Sequence, residues 1–445
     1  AGPVAATDIN AVLARDDAAD DVRELAERSL VTVDIATTPT RFSLLHIVRM
    51  HAADRLRAAG RTDELAARHA AWFLAGAREA DASLRRVDEV DGWRWFETTF
   101  GELRAAHRWA RANDPELAAD LCAHLHHYAQ SRLVDEPLAW AEQLCSVLPD
   151  TSPWMPVLLA SAATRAINRG DLAAARVLAL RAVQLAGADR WALPAYEALG
   201  DACLYSGQVP EARAAHGELA RRAATLGDAH YHVMGAVSFA LIDAYTHAVD
   251  DDRAIDAIDI PDDVLSPTMH GWLAFARGEM LHDADPDAAF EHLERAVNEA
   301  RRVGSRFLEG VALVSACSLR ARVGDVDTAF RAFRDTVKHW TRLADLTHQR
   351  TTLRNLVVLF QRAGVPDAAA ELLGAVRPEG VQVLGGEAVR LDAAQAWAMR
   401  ELGTERFDEL FDRGRQRPLA AAASWALDTI DSCLGRAADT SPVGR

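Results

Sequence analysis

Four glycine turns, Gly170-Asp171, Gly207-Gln208, Gly324-Asp325 and Gly364-Val365, are each followed five residues after the glycine by an alanine: Ala175, Ala212, Ala329 and Ala369. The glycines stand 37, 117 and 40 residues apart, the long interval being about three periods of 39, and Ala284-Asp285-Pro286 with Ala289 falls on the same grid. Self-similarity at a period of about 20 to 50 residues marks a solenoid, in which each unit buries its apolar face only against its neighbours. Stacked helical hairpins present an extended binding groove. The sequence therefore speaks of architecture more clearly than of chemistry.

The array is expected over residues 153–376. Each unit reads as a helix, a glycine turn and a second helix rich in Ala and Arg: Val157 to Arg169 with Leu172 to Leu185, Pro194 to Ser206 with Pro210 to Leu226, and Phe307 to Val323 with Val326 to Leu343. The unit from Tyr231 to Ile258 is irregular, its second helix interrupted by Asp250-Asp251-Asp252. Arg377 to Glu387, with Pro378, Gly380, Gly385 and Gly386, reads as a loop. Residues 377–435 otherwise form closing helices, and 436–445 a frayed tail.

Residues 1–60 follow another pattern. A helix over Asp8 to Leu13 and a second capped by Asp20 or Asp21 precede two β-prone runs, Ser29 to Asp34 and Thr40 to Leu45, joined by Ala36-Thr37-Thr38-Pro39. A helix from His46 to Ala59 ends at Gly60. Helix, helix, two-stranded wing, helix is the order of a winged helix. Residues 61–152 are helical pairs, with Leu65, His69, Trp72 and Phe73 on one face and Phe96, Phe100, Leu103 and His107 on another. The fold class is thus all-α: a helical-hairpin superhelix preceded by a small winged-helix domain with a two-stranded wing.

Among 445 residues, 50% are hydrophobic and 26% charged, the balance of a folded chain. The net charge of -16 disfavours a general nucleic-acid or anionic-membrane binder. Five dispersed cysteines without a C-x-x-C pair give no metal or redox motif, and no signal-peptide core or long apolar run appears, so a cytoplasmic location is expected. The chain does not begin with Met, and Lys338 is its only lysine among 49 Lys and Arg, which points to a fragment of a larger protein from a GC-rich genome.

The array units resemble tetratricopeptide repeats, most closely from Tyr196 through Leu199-Gly200 and Leu204-Tyr205 to Gly207 and Ala212. Residues Leu25 to Val31, Thr40 to Arg49, Ala53 to Leu56 and His69 to Phe73 resemble the segment after the nucleotide-binding domain of bacterial STAND (NB-ARC) ATPase regulators, among them LuxR-like and AfsR-like regulators and actinobacterial cyclase-ATPase fusions. Leu402-Gly403, Gly414-Arg415 and Trp425-Ala426-Leu427 look like the end of such repeat regions. That resemblance implies a non-enzymatic sensor arm for signal transduction or transcriptional regulation. It would bind a protein partner or small-molecule inducer on its repeats and couple it through the winged helix to an upstream ATPase. The chain has no G-x-x-x-x-G-K-[ST], so ATP is expected only in that upstream domain and no cofactor in the chain itself. The alternatives are a stand-alone tetratricopeptide scaffold and a DNA-binding regulator acting through the winged helix.

Since the first helix of each hairpin faces the groove, the repeat register nominates Glu197, Asp201, Ser318, Arg354 and Gln361 for partner binding. Arg41, Arg49 and Arg55 are the candidates for DNA contact or domain coupling, with Asp54 interrupting their basic run. No nucleophile motif such as G-x-S-x-G occurs. His124, His126 and His127 read as a hydrated helix face or a partner contact, not metal ligands, because i and i+2 point apart on a helix. Asp283, Asp285, Asp287 and Glu294 have the spacing of a calcium loop. Ala288 stands where that loop needs glycine, however, so a proline-marked turn with capping carboxylates is expected. Asp250 to Asp252 with Asp256, Asp259, Asp262 and Asp263 read as a solvated acidic segment.

Overall fold

The computed structural model describes residues 2–37, 39–246, 261, 263–377 and 383–440, with backbone only for 436–440. The acidic segment other than Asp263, and the 378–382 part of the expected loop, lie outside the described residues. The chain divides into two compact units, Ala1–Ala129 with Glu136–Leu158, and Gln130–Asp135 with Leu159–Arg445. No helix among the described residues is long and apolar enough to cross a membrane.

The first unit opens with β1 (Val4–Ala5), α1 (Ala6–Leu13) and α2 (Ala18–Glu27), then β2 (Val31–Asp34), β3 (Arg41–Leu44) and α3 (His46–Ala58). The two-stranded wing is one part of a three-stranded antiparallel sheet in the order β1-β3-β2, with Val4 opposite Phe42 and Val33 opposite Phe42 on the other side. Two residues are too short to carry an alternating pattern, which hid β1 in the sequence. Arg41 ties the sheet down: its guanidinium donates to the Pro3 carbonyl at 3.1 Å and to Thr98 Oγ1 at 3.0 Å. Trp72 Nε1 donates to Asp8 Oδ1 at 3.0 Å and holds α1 against the helix that follows α3.

Next come α4 (Thr62–Ser83), α5 (Glu89–Asn113), α6 (Pro115–Arg132) and α7 (Asp135–Leu144). Phe73, Phe96, Leu103 and Ala106 fill the seam between α4 and α5. Tyr128 stacks on Phe96 with ring centroids 4.8 Å apart, and His107 stacks on Trp140 at 4.2 Å. Burial holds His107 neutral, its pKa pulled down to about 4. The three histidines of α6 are buried, which corrects the hydrated-face expectation. His124 Nδ1 meets Asp81 Oδ2 of α4 at 2.9 Å, and burial pulls the pKa of His126 down to about 4.

The second unit contains the array: α8 (Met155–Asn168), which begins in the first unit, then α9 (Leu172–Leu185), α10 (Leu193–Tyr205), α11 (Val209–Leu226), α12 (Ala229–Thr246), α13 (Pro267–Leu281), α14 (Pro286–Val303), α15 (Arg306–Val323), α16 (Val326–Leu343), α17 (Leu346–Arg362) and α18 (Pro366–Val376). The expected hairpins stand within two residues of these bounds. Ala175, Ala212, Ala289, Ala329 and Ala369, the grid alanines, are all fully buried. Their small side chains let paired helices approach closely. Gly170, Gly207 and Gly364 have φ of +77°, +76° and +70°, the left-handed helix end that favours glycine. Gly324 breaks this set with φ of -84°; Arg362 of α17 instead donates to the carbonyls of Arg320, Ala321 and Gly324 and holds that turn from outside. Asp285 caps α14 by accepting from the Ala288 N–H at 3.1 Å, and Asp283 pairs with Arg322.

Three helices close the array: α19 (Gly385–Leu402), α20 (Thr404–Arg415) and α21 (Leu419–Thr440). Gly385 to Glu387, expected in a loop, form the first turn of α19, and α21 continues to Thr440 where a frayed tail was expected. Phe330, Phe333, Phe360, Leu391, Phe407 and Ile430 make one apolar cluster that joins the closing helices to α16 and α17. Where α18 crosses α20 the backbones touch: a Cβ at Gly374 would fall on the Phe411 carbonyl oxygen, and one at Gly414 on the Glu371 carbonyl oxygen. Gly374→Ala is therefore expected to destabilise the chain by about 1–3 kcal/mol, as overpacked sites do. Gly435→Ala, on α21 with nothing within 4 Å, is expected to be neutral or to stabilise by about 0.5–1 kcal/mol. Urea midpoints of the two variants against the unchanged chain check both signs.

Candidate functional site

The array curves until the start of α17 reaches the α8–α9 turn. Thr347 Oγ1 donates to the carbonyl oxygen of Ile167, and a Cβ at Gly170 would lie 3.6 Å from Leu346 Cβ. One helix further on, the Tyr205 hydroxyl of α10 meets His348 Nε2 at 2.9 Å, a bond across 143 residues. Asp345 orients that imidazole: Oδ2 accepts from His348 Nδ1 at 2.8 Å while Oδ1 caps α17 by accepting the His348 N–H at 2.9 Å. With Nδ1 protonated, Nε2 is the acceptor for the hydroxyl. Three aromatic rings box the histidine, Trp340 stacked at 4.9 Å and Phe307 and Tyr205 edge-on at 5.0 and 5.1 Å.

This closure gathers polar side chains from helices far apart in sequence. Glu197, Asp201 and Tyr205 form one stripe on α10 at spacings of four residues. Glu197 is 5% exposed; burial, then the neighbouring Asp201, push its carboxyl pKa up to about 8, against the opposing hydrogen bond from Gln130. Burial, with Asp201 and Asp345 nearby, holds the Tyr205 phenol protonated. Tyr245 of α12 is likewise held protonated by burial, and its electrostatic neighbours are Glu279 of α13, Tyr205 and Glu387 of α19. Residues of α10, α12, α13 and α19 thus converge on one interior. Arg354 of α17 grips Glu387 with two bonds, Nε to Oε1 at 2.9 Å and Nη2 to Oε2 at 3.2 Å.

Two further guanidiniums belong to this lining. Arg350 lies one turn before Arg354; burial, and then repulsion from Arg354, pull its pKa below the usual arginine range. Arg390 of α19 is pulled down by burial and by Arg322, with Asp283, Glu387 and Glu279 opposing. The lining brings together protonated groups, Glu197 and the two phenols, and a His348 engaged by Asp345 and Tyr205, beside the rings of Trp340 and Phe307.

Of the residues nominated from the sequence, Glu197, Asp201 and Arg354 belong to this lining. Ser318 is buried within α15, and Gln361 is half-exposed about 16 Å along α17 from Arg350 at the helical rise. Tyr205, Tyr245, Glu279, His348, Arg350, Glu387 and Arg390 were missed. The spacing of four from Glu197 to Tyr205 and from Arg350 to Arg354 carried a signal for some of them. In the first unit, Arg49 Nη2 donates to the Leu44 carbonyl at 3.1 Å, and Arg55 is exposed on α3.

No protein-family model matches the chain, and no curated protein matches it. Among solved structures, one similar chain is a Signal Transduction ATPase with Numerous Domains (STAND) protein with a tetratricopeptide repeat sensor from Pyrococcus horikoshii. It is 13% identical with a TM-score of 0.47, the match covering 98% of this chain and 63% of that one. This chain therefore spans less than two thirds of that protein. A second is a circular tandem repeat protein with novel repeat topology, 14% identical with a TM-score of 0.17, covering 98% of this chain and 96% of that one. At such likeness the fold is read from the chain's own hairpins.

Glu197 gives the interior a pH signature. Its folded pKa lies above the ordinary 4.5, so the folded chain holds a proton that the unfolded chain releases. The stability this contributes is complete below about pH 4.5 and is lost as pH rises to about 8. Glu197→Gln mimics the protonated acid. Its thermal midpoint is expected to match the unchanged chain near pH 4 and to exceed it increasingly towards pH 8, as thermal melts across that range will record.

Proposed function

We propose that the chain is the sensor arm of a STAND-type ATPase regulator, taking a protein partner or small-molecule ligand on the inner face of its array. The observation that carries the reading is the polar lining of the closed coil. Burying paired charges yields little net stability compared with well-packed apolar side chains of similar volume. A purely structural array gains nothing from setting Glu197, Glu279, Arg354, Glu387 and two half-buried arginines on one interior. Perturbed ionisable groups gathered in a concavity are the usual mark of a binding site. Glu197, Asp201 and Arg354 are proposed as contact residues there, with Ser318 and Gln361 at the margins of the groove.

Residues 1–60 are proposed as a winged helix that passes occupancy of the array to an ATPase domain upstream, which would hold the ATP. Two observations favour coupling over DNA binding. Arg41 and Arg49 spend their guanidiniums on protein oxygens, at Pro3, Thr98 and Leu44. Around them Ile35 and Ile47 are 84% and 79% exposed, apolar surface that suits a protein neighbour better than phosphate. Arg55 is proposed to lie at the rim of that contact.

A ligand shifts such a switch only by binding its two states unequally. Removing residues 159–445 from the parent protein is expected to change its basal ATP turnover and abolish its response to inducer, measured by phosphate release. Unchanged basal turnover with an unchanged response would overturn the reading.

A further inference from the structure

Most arginines that pack into the array have an acid at hand: Arg213 meets Asp243, Arg322 meets Asp283, Arg354 meets Glu387 and Arg417 meets Glu371. Arg350 departs from this. It has no ion pair among the described residues, its Nε is buried without a hydrogen-bond partner, and the charge felt most strongly beside it is another arginine, Arg354. Its guanidinium stands against the α8–α9 turn, with Nη2 3.9 Å from where a Cβ on Gly170 would be. Arg390 partly repeats the pattern one turn beyond Glu387: Nε is buried and unpartnered, and of the three acids near it Asp283 is taken by Arg322 and Glu387 by Arg354, which leaves Glu279. Helices α17 and α19 pack together, so both cations border the Arg354–Glu387 pair.

In a chain with 65 acidic residues against 49 basic ones, a counter-charge for Arg350 is cheap to supply. Arg350 is half-buried, and the Nε it withdraws from water without a partner is a cost to the fold. Glycine at 170 sets no side chain between that guanidinium and the α8–α9 turn. Arginine presents a planar fork that matches carboxylate and phosphate oxygens.

We infer that the interior of the array binds a small anionic ligand through its carboxylate or phosphate oxygens, with Arg350 as the principal anchor and Arg390 as the second. This rests on the sensor reading and gives its ligand a chemical class. Asp201 and Asp345 bound the same interior, so an extended polyanion such as nucleic acid meets repulsion there, and the ligand is small.

The test uses the whole 445-residue chain, titrated by calorimetry with inorganic phosphate in one arm and succinate in the other, against sodium chloride of equal ionic strength. At least one anion is expected to bind saturably, and the arm that does so identifies the oxyanion. Arg350→Met, which keeps the apolar stem, is expected to weaken that binding by about tenfold or more. In anion-free buffer the same variant is expected to raise the thermal midpoint, because it removes an uncompensated charge. Equal binding by the variant, a lowered midpoint, or no saturable binding of either anion overturns the inference. An inducer response that survives Arg350→Met in the parent protein leaves the sensor reading intact while removing the anion. Loss of the sensor reading itself is seen separately, when deletion of the array changes nothing.

Discussion

Everything in the array depends on how closely the two helices of a hairpin can approach. Five residues after the turn, one full helical turn into the second helix, the side chain points straight at the first helix, and alanine there is buried without leaving a gap. A branched residue at any of these positions would drive the helices apart by an ångström or more and change the angle passed to the next unit. In a solenoid such angles accumulate, since each repeat is positioned only by its neighbours. The closure between Thr347 and Ile167 is the sum of the intervening hairpin geometries. Narrow hairpins therefore do more than pack: they set the curvature that brings α17 back to the α8–α9 turn.

Closure then decides the electrostatics. Seen along its own helix, each polar residue of the first helices looks like part of a solvated stripe. Once the coil closes, Tyr205 and Glu197 lose water together, and every group must find a partner or remain a cost. Asp345 resolves this economically, its two oxygens serving the helix cap and the His348 ring at once, so that the ring can accept from Tyr205. Arg354 and Glu387 resolve it bidentately. Glu197 resolves it by keeping its proton, whereas Arg350 has no ion pair among the described residues and, like Arg390, no neutral form to retreat to, because arginine does not deprotonate in a protein. The contrast between those two and the rest of the lining separates a polar interior that merely holds itself together from one with unmet valence towards a ligand.

Hairpin boundaries were legible because their signals are local: a glycine turn, an Asp or Pro at the next helix start, an alanine one turn in. The same locality explains the errors. Gly324 looks like Gly170 and Gly207 in sequence, yet its conformation is dictated by Arg362, which reaches it from the following hairpin. His124 lies on what reads as a polar face until Asp81, on another helix, covers it. β1 has only two residues and exists because Phe42 offers an edge to pair with. In the interior, the register of α10 was enough to find Glu197 and Asp201, and that of α17 to find Arg354. Tyr245, Glu279 and Arg390 acquire meaning only from the curvature of the whole array, which no window of sequence contains.

A one-dimensional array passes strain only from neighbour to neighbour, so a perturbation at α17 would normally reach α8 through every hairpin between them. The seam of Thr347 to Ile167 and Tyr205 to His348 adds a direct path. It consists of a few hydrogen bonds, each contributing about 0.5–1.5 kcal/mol net, set beside apolar clusters that are far harder to open. Arg350, its Nε buried, stands on the helix that forms the seam, three residues past Thr347 and two past His348. Under the proposed anion binding, a group that neutralises that charge would lower the cost of the closed coil directly, whereas an opened coil with Arg350 hydrated would have no such cost to relieve. Unequal affinity for two such arrangements would then follow from placement alone, which is the condition that the proposed ligand-driven switch has to meet.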